Sequence, residues 1–251
     1  MTTTSLHSLL LLSDSALPLG SFAFSSGLES FLGHHRNLNA SGRLQAFDSF
    51  LHQSLHNVAH TALPYVMTAF HSPQRLEDLD NDFDASTPCT VARRASVAQG
   101  RALLNLWQRA LAPPAASKGD GQRQQETIRI LNAFAVDMKT SGTDDFGLQL
   151  NAHFPPLFGT VCKALGLSEE YTAYLFLLNH AKALLSAAVR ASVMGPYQSH
   201  AFLASTKLQT SIRECVSFTS TKQAEDAAVT VPLMDLWMGR HELLYSRIFN
   251  S

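Results

Sequence analysis

The stretch from Ser168 to Met194 constrains the fold more than any other. Read as a helix, it collects Asn179, Lys182, Ser186 and Arg190 on one narrow polar stripe, and nearly every other position is apolar or alanine. A helix apolar over most of its circumference must be covered on most sides, so it is the central element of a domain or the seam of an oligomer. Of these two we take the core, with a dimer seam as the alternative. Ser168, followed by Glu169 and Glu170, supplies a capping hydroxyl and two carboxylates for the first turn.

Apolar residues recur every three or four positions along most of the chain, and strand signals are nearly absent. The expectation is an all-α, single-domain bundle of about eight to ten helices. Helices are expected over Leu6–Ser13, Ser21–Phe31, and from Ser41 along Leu44, Phe47, Leu51, Leu55, Val58, Ala62 and Val66, where Pro64 kinks or splits the run. Others are expected over Thr90–Leu111, Glu126–Lys139, Pro155–Leu165, Ser168–Met194, Gln198–Phe218 and Leu233–Phe249. Residues 72–88, with Asp78, Asp80, Asp82 and Asp84 between prolines, read as an acidic connector. Residues 112–125 lack any apolar period and read as a flexible surface loop. Ser220–Thr230 reads as a polar tether carrying an amphipathic C-terminal segment.

Charged residues make up only 16% of the 251-residue chain, which suggests that a partner covers part of its surface. The net charge of −1 gives no electrostatic case for nucleic acid or an anionic membrane. Cys89, Cys162 and Cys215 form neither a disulfide framework nor a CxxC site, which fits a reducing compartment. Leu9–Leu12 lacks the basic flank of a secretory signal and is cut short by Asp14. No segment reaches the ~20 apolar residues of a membrane span. The cytoplasm is the expected location.

Catalytic patterns are missing or incomplete. There is no GxxxxGK[ST] or GxGxxG element, and Ala23-Phe24-Ser25-Ser26-Gly27 lacks the first glycine of a nucleophile elbow. His241-Glu242-Leu243-Leu244-Tyr245 has tyrosine where a zinc protease needs its second histidine. His52, His56 and His60 share one helical face and are weak candidates for metal, although three ligands along one helix span too far for one ion. The alternative is that they flank the apolar stripe of Leu51, Leu55 and Ala59.

Two segments remain, one at each end. In Ser13–Glu29, Pro18 fixes its own φ, Gly20 opens backbone angles closed to other residues, and the serines with Asp14 can satisfy an irregular turn. Phe22, Phe24 and Leu28 give that turn something to bury. At the other end, Met234, Met238, His241, Tyr245 and Phe249 make one stripe if the segment is helical, with Leu233, Trp237 and Leu244 beside it, and one reading is a last helix packed on its own core. A tethered stripe of these types suits docking into a partner's groove.

These segments resemble the signatures of the urease accessory protein UreF family, LP-x-G-x-F-x-x-S-x-GLE near the start and HE-x-x-YSR-[LI]-F-x-S at the end. Weaker matches are Arg93, Ser96 and Gly100, then His153, Pro155, Gly159 and Gly166, then Arg190 with Gln198. The resemblance implies an all-helical, homodimeric scaffold rather than an enzyme. Such a scaffold assembles with a UreD-type (UreH-type) accessory protein, recruits or regulates the nickel-carrying UreG-type GTPase, and serves nickel insertion into apo-urease. It implies no tightly bound cofactor, with nickel handled by the complex. Partner contacts are expected at Met238, His241, Glu242, Tyr245, Arg247 and Phe249, at Asp14, Pro18, Gly20, Phe22 and Glu29, and at Arg190 toward the GTPase. The rival readings are a nickel carrier using His52, His56 and His60, and a helical enzyme with an unrecognised pocket.

Overall fold

A computed structural model describes residues 3–112, 122–140, 142–144 and 146–250. Among the described residues regular structure is helical, apart from one isolated antiparallel bridge between Thr143 and Gln149. The chain forms one all-α domain. Its helices are α1 (Thr3–Ser13), α2 (Leu28–His34), α3 (Ala40–Thr61), α4 (Leu63–His71), α5 (Leu76–Ser86), α6 (Thr90–Leu106) and α7 (Gln122–Thr140). Then follow α8 (Phe154–Ala164), α9 (Glu169–Arg190), α10 (Pro196–Ala204), α11 (Thr206–Thr219) and α12 (Leu233–Arg240).

The apolar 168–194 segment, α9, is the axle of the fold: it packs against α1, α2, α3, α4, α8, α10 and α11. Leu177, Ala181, Ala187 and Ala188 are fully buried along it. Ser168 caps it by accepting the Tyr171 N–H. By length and composition alone α9 would also pass as a membrane span, contrary to the expectation of none, but coverage inside the protein accounts for its apolarity. α4 packs closely on α8, where an added Cβ at Gly159 would stand 2.0 Å from the Val66 carbonyl oxygen.

Several expected boundaries are corrected. The connector at 72–88 contains a helix, α5, because Leu76, Leu79 and Phe83 at i, i+3 and i+7 bury one face against the core. Residues 122–125 belong to α7, while 113–121 of the expected loop lie outside the described residues. The expected Gln198–Phe218 helix is two, because Ser205 adopts an extended conformation and caps α11 through the Leu208 N–H. Pro64 splits the long third helix as expected, sitting in the first turn of α4.

His180 of α9 sits against Ser54 of α3, with Nε2 2.8 Å from Ser54 Oγ. Burial pushes its pKa down from 6.5 to about 4, so the ring is neutral and the serine hydroxyl donates to it. The unfolded chain takes up this proton first as pH falls, and stability tied to His180 is therefore lost between pH 6.5 and about 4. Urea midpoints measured across that window should fall for the natural chain and fall less for His180→Gln.

Candidate functional site

The polar stripe of α9 explains how the two chain-end segments come together. Asn179 Nδ2 donates to the Leu12 carbonyl at 3.0 Å, and the Lys182 ammonium donates to the Ser13 carbonyl. Both groups satisfy the unpaired carbonyls at the end of α1, where a cation also complements the helix dipole. Past α1, Asp14 accepts the Ala16 N–H, and Gly20 takes the left-handed conformation (φ 71°) before a short 3-10 turn at Ser21–Ala23. Buried Ser25 then starts α2, and Gly27 (φ 84°) lies so close beneath α12 that a Cβ would meet Trp237 Cβ at 2.9 Å.

The polar segment expected to be a free tether is strapped to the body. Ala224 is buried with its N–H on Thr68 Oγ1, Ala228 N–H bonds the His60 carbonyl, and Asn57 Oδ1 accepts from Thr230 and Val231. The helix expected over Leu233–Phe249 stops at Arg240, where a single 3-10 turn (His241–Leu243) leads into irregular chain. The cause is Glu29. Its Oε2 accepts from His241 Nε2 at 3.0 Å and from the Phe249 N–H at 3.2 Å, while Oε1 accepts the Ile248 N–H at 2.7 Å. A continuous helix could not turn the His241 ring and the amides of residues 248 and 249 toward one carboxylate.

Other contacts close the clasp. Asn250 N–H bonds the Ala23 carbonyl at 2.8 Å, and the Arg190 guanidinium lies 4.4 Å from the Phe249 ring centre. Arg94 of α6 reaches Glu242 Oε1 at 2.5 Å and the Asn250 carbonyl at 3.2 Å, and Arg247 bonds Glu242 from the other side at 3.1 Å. Two guanidiniums hold the Glu242 carboxyl below the usual carboxylate range, the Arg94 hydrogen bond first among the causes. The His241 ring is 0 % exposed and its Nδ1 has no partner. Facing a carboxylate oxygen, Nε2 is the ring's donor in this contact.

The sequence-expected contacts therefore divide. His241 and Phe249 are buried anchors within the chain itself and do not face outward, and Glu29 is 12 % exposed and occupied by the tail. Tyr245 is fully exposed, and Leu243, Ile248 and Leu236 point outward with it. Phe22 is 66 % exposed rather than buried in its turn, and Asp14 and Pro18 are exposed nearby in the chain. Met238 is half-buried, and Trp237 fits edge-on against Phe31 at 5.6 Å. Arg94, which ties the tail to α6, was missed by sequence reasoning: no local pattern marks an arginine whose partner lies 148 residues away.

His52, His56 and His60 do not converge. His52 Nδ1 meets Ser211 Oγ at 3.1 Å, His56 Nδ1 meets Thr230 Oγ1 at 3.0 Å, and buried His60 bonds the His56 carbonyl at 2.8 Å. Among the described residues no set of three or more His, Cys, Asp or Glu side chains is placed to hold a metal ion. A cleft of ≈ 660 Å³ between α3, α10 and α11 is lined by His52, Leu44, Phe202 and Leu208, and none of the chain-end residues lines it.

A UreF family model matches residues 44–207, from α3 into α11. The chain belongs to the UreF family. Full-length relatives agree: a urease accessory protein UreF-like chain of Schizosaccharomyces pombe is 40% identical over 250 residues, spanning 99% of this chain and 98% of that one. Urease accessory protein F of Oryza sativa subsp. japonica is 31% identical, covering 94% of this chain and 81% of its own length. Urease accessory protein UreF of Haemophilus influenzae (strain KW20 / Rd) is 25% identical over 99% of this chain and 96% of its own. The UreF family serves urease maturation as an accessory protein that works with other accessory factors.

The matched UreF segment also holds a polar hub built from the weaker sequence matches. Buried His153 meets Ser96 Oγ at 3.1 Å through Nδ1 and Asp84 Oδ1 at 3.0 Å through Nε2, and Arg93 lies 3.6 Å from the same Asp84. By residue type this is a Ser-His-Asp chain, the arrangement that nucleophilic catalysis uses. Here, however, Ser96 Oγ accepts the Phe154 N–H at 3.1 Å, which makes it a cap on α8. Asp80, 1 % exposed, accepts the next three amides back, from Asn151, Ala152 and His153. Together they hold Ala152 at φ 60° and set α8 in place.

Proposed function

We propose that this UreF-family chain is a urease accessory scaffold that docks a UreD-type (UreH-type) accessory protein on its clasped C-terminal segment. It recruits or regulates a UreG-type GTPase on the resulting assembly, for nickel insertion into apo-urease. The chain is not an enzyme in this reading: nickel is cargo of the assembly, no cofactor is tightly bound, the scaffold works as a homodimer, and its setting is the cytoplasm. The role in urease maturation rests on family membership. One observation carries the docking surface: Leu243, Tyr245 and Ile248 are turned out to solvent by a segment whose flanking residues, His241 and Phe249, are buried.

A disordered tail would expose such side chains at no structural cost. A tail pinned by three bonds to one carboxylate and still exposing them has the pre-organisation that a binding surface benefits from. Tyrosine and arginine are also the types that anchor interfaces. Removing everything after Thr230 would strip Met234 and Trp237 from the core as well, so point substitution is the cleaner test. Tyr245→Ala combined with Ile248→Ala should cut co-purification with the UreD-type protein by about tenfold or more, at unchanged melting temperature. Equal recovery of natural and doubly substituted chains would remove this surface from the proposal.

A further inference from the structure

We propose that Glu29 is a positioning residue for the docking segment, acting on partners only through the tail it holds. This rests on the docking reading above for its biological meaning, and on the clasp geometry for its physical content. Among the described residues, every side-chain hydrogen bond of Glu29 goes to the tail: His241 Nε2–H, Ile248 N–H and Phe249 N–H. Its own backbone is set independently, with the amide on Ser25 Oγ in the first turn of α2. The carboxylate is thus fixed by the N-terminal segment and read by the C-terminal one.

Three donors converging on two oxygens demand an acceptor at both positions. A carboxylate supplies that, and a carboxamide does not, because its NH₂ would face one of the three N–H groups. The spacing of the bonds decides what the tail displays. With residue 241 held inward at one end and residues 248 and 249 at the other, the chain between them arches over the surface, with Leu244 half-buried near Gly33 of α2 and Leu243 and Tyr245 turned out. Leu243 and Tyr245 are exposed on that arch, and the Ile248 side chain stands out although its amide points in. Glu29 therefore fixes which side chains of the segment meet a partner.

The full-length chain and its Glu29→Gln and Glu29→Asp variants test this in two arms. The first arm needs no partner: amide hydrogen exchange followed at residues 248 and 249. Glu29→Gln should speed exchange at these two amides by about tenfold or more while α9 amides keep their protection, and Glu29→Asp, which retains both oxygens, should restore part of it. The second arm measures binding of the purified UreD-type protein. Glu29→Gln should weaken it by about tenfold with Tyr245 intact, and Glu29→Asp should lie between. Unchanged exchange at residues 248 and 249 in Glu29→Gln overturns the positioning role outright. Faster exchange with full partner affinity also overturns it, because the tail's arrangement would then not matter to docking. If Tyr245→Ala leaves binding intact while exchange still responds to Glu29→Gln, the clasp is real and the docking reading is what fails.

Discussion

Gly159→Ala is expected to cost about 3 kcal/mol of stability, lowering the melting temperature by roughly 10 °C in a chain of this size. α4 and α8 share an extensive contact, and Gly159 is where the two backbones touch. An alanine Cβ there would stand 2.0 Å from the Val66 carbonyl oxygen and 2.9 Å from its carbon. The obstacle is backbone on a neighbouring helix, so no rotamer change relieves it. α4 would have to move away from α8, and Val66, Leu63, Leu157 and Phe158, all fully buried, would lose contact together. Gly20→Ala is the contrasting control, because a Cβ there meets nothing within 4 Å and only the left-handed φ of 71° resists it. A thermal melt in which Gly159→Ala matched the natural chain would show that α4 and α8 are held less rigidly than this packing requires.

Asp80→Ala is expected to be of similar severity, about 3–5 kcal/mol, read from urea unfolding at neutral pH. The carboxylate is buried and accepts the Asn151, Ala152 and His153 amides at 2.7, 3.1 and 2.5 Å. Removing it strands the buried Ala152 and His153 donors and frees the half-buried Asn151 amide. Burial raises the carboxyl above the usual range while the His153 and Asn151 hydrogen bonds pull it back. The charge itself is thus a burden and the acceptor is what matters. Asp80→Asn, which keeps one acceptor without the charge, should recover part of the loss. Equal losses in Asp80→Ala and Asp80→Asn would mean that the charge, not the geometry, holds the turn before α8.

How far these features were legible in the sequence depends on how local their causes are. The helical class, the central place of α9 and the Ser168 cap follow from periodicity and one capping hydroxyl, both contained within a few turns. The break at Pro64 is equally local. Asp80 is hidden in the sequence because four aspartates and two flanking prolines outweigh the Leu76-Leu79-Phe83 spacing. A buried acid among exposed ones has no signature in the sequence. The last helix is shorter than its sequence suggests for the opposite reason: its stripe has a good helical period, but a carboxylate more than 200 residues away outcompetes the i to i−4 ladder. Both end motifs were recognised as signatures, and what could not be read was that they are signatures of each other, the first holding the second.

Glu29 and Ile248 are 219 positions apart, so the bond between them can form only once both segments have been laid against the body of the fold. Closing a loop of that length costs chain entropy, and contacts of such separation in sequence are slow to gather. Any substitution that loosens the helices lying between the two segments should therefore be felt at the clasp.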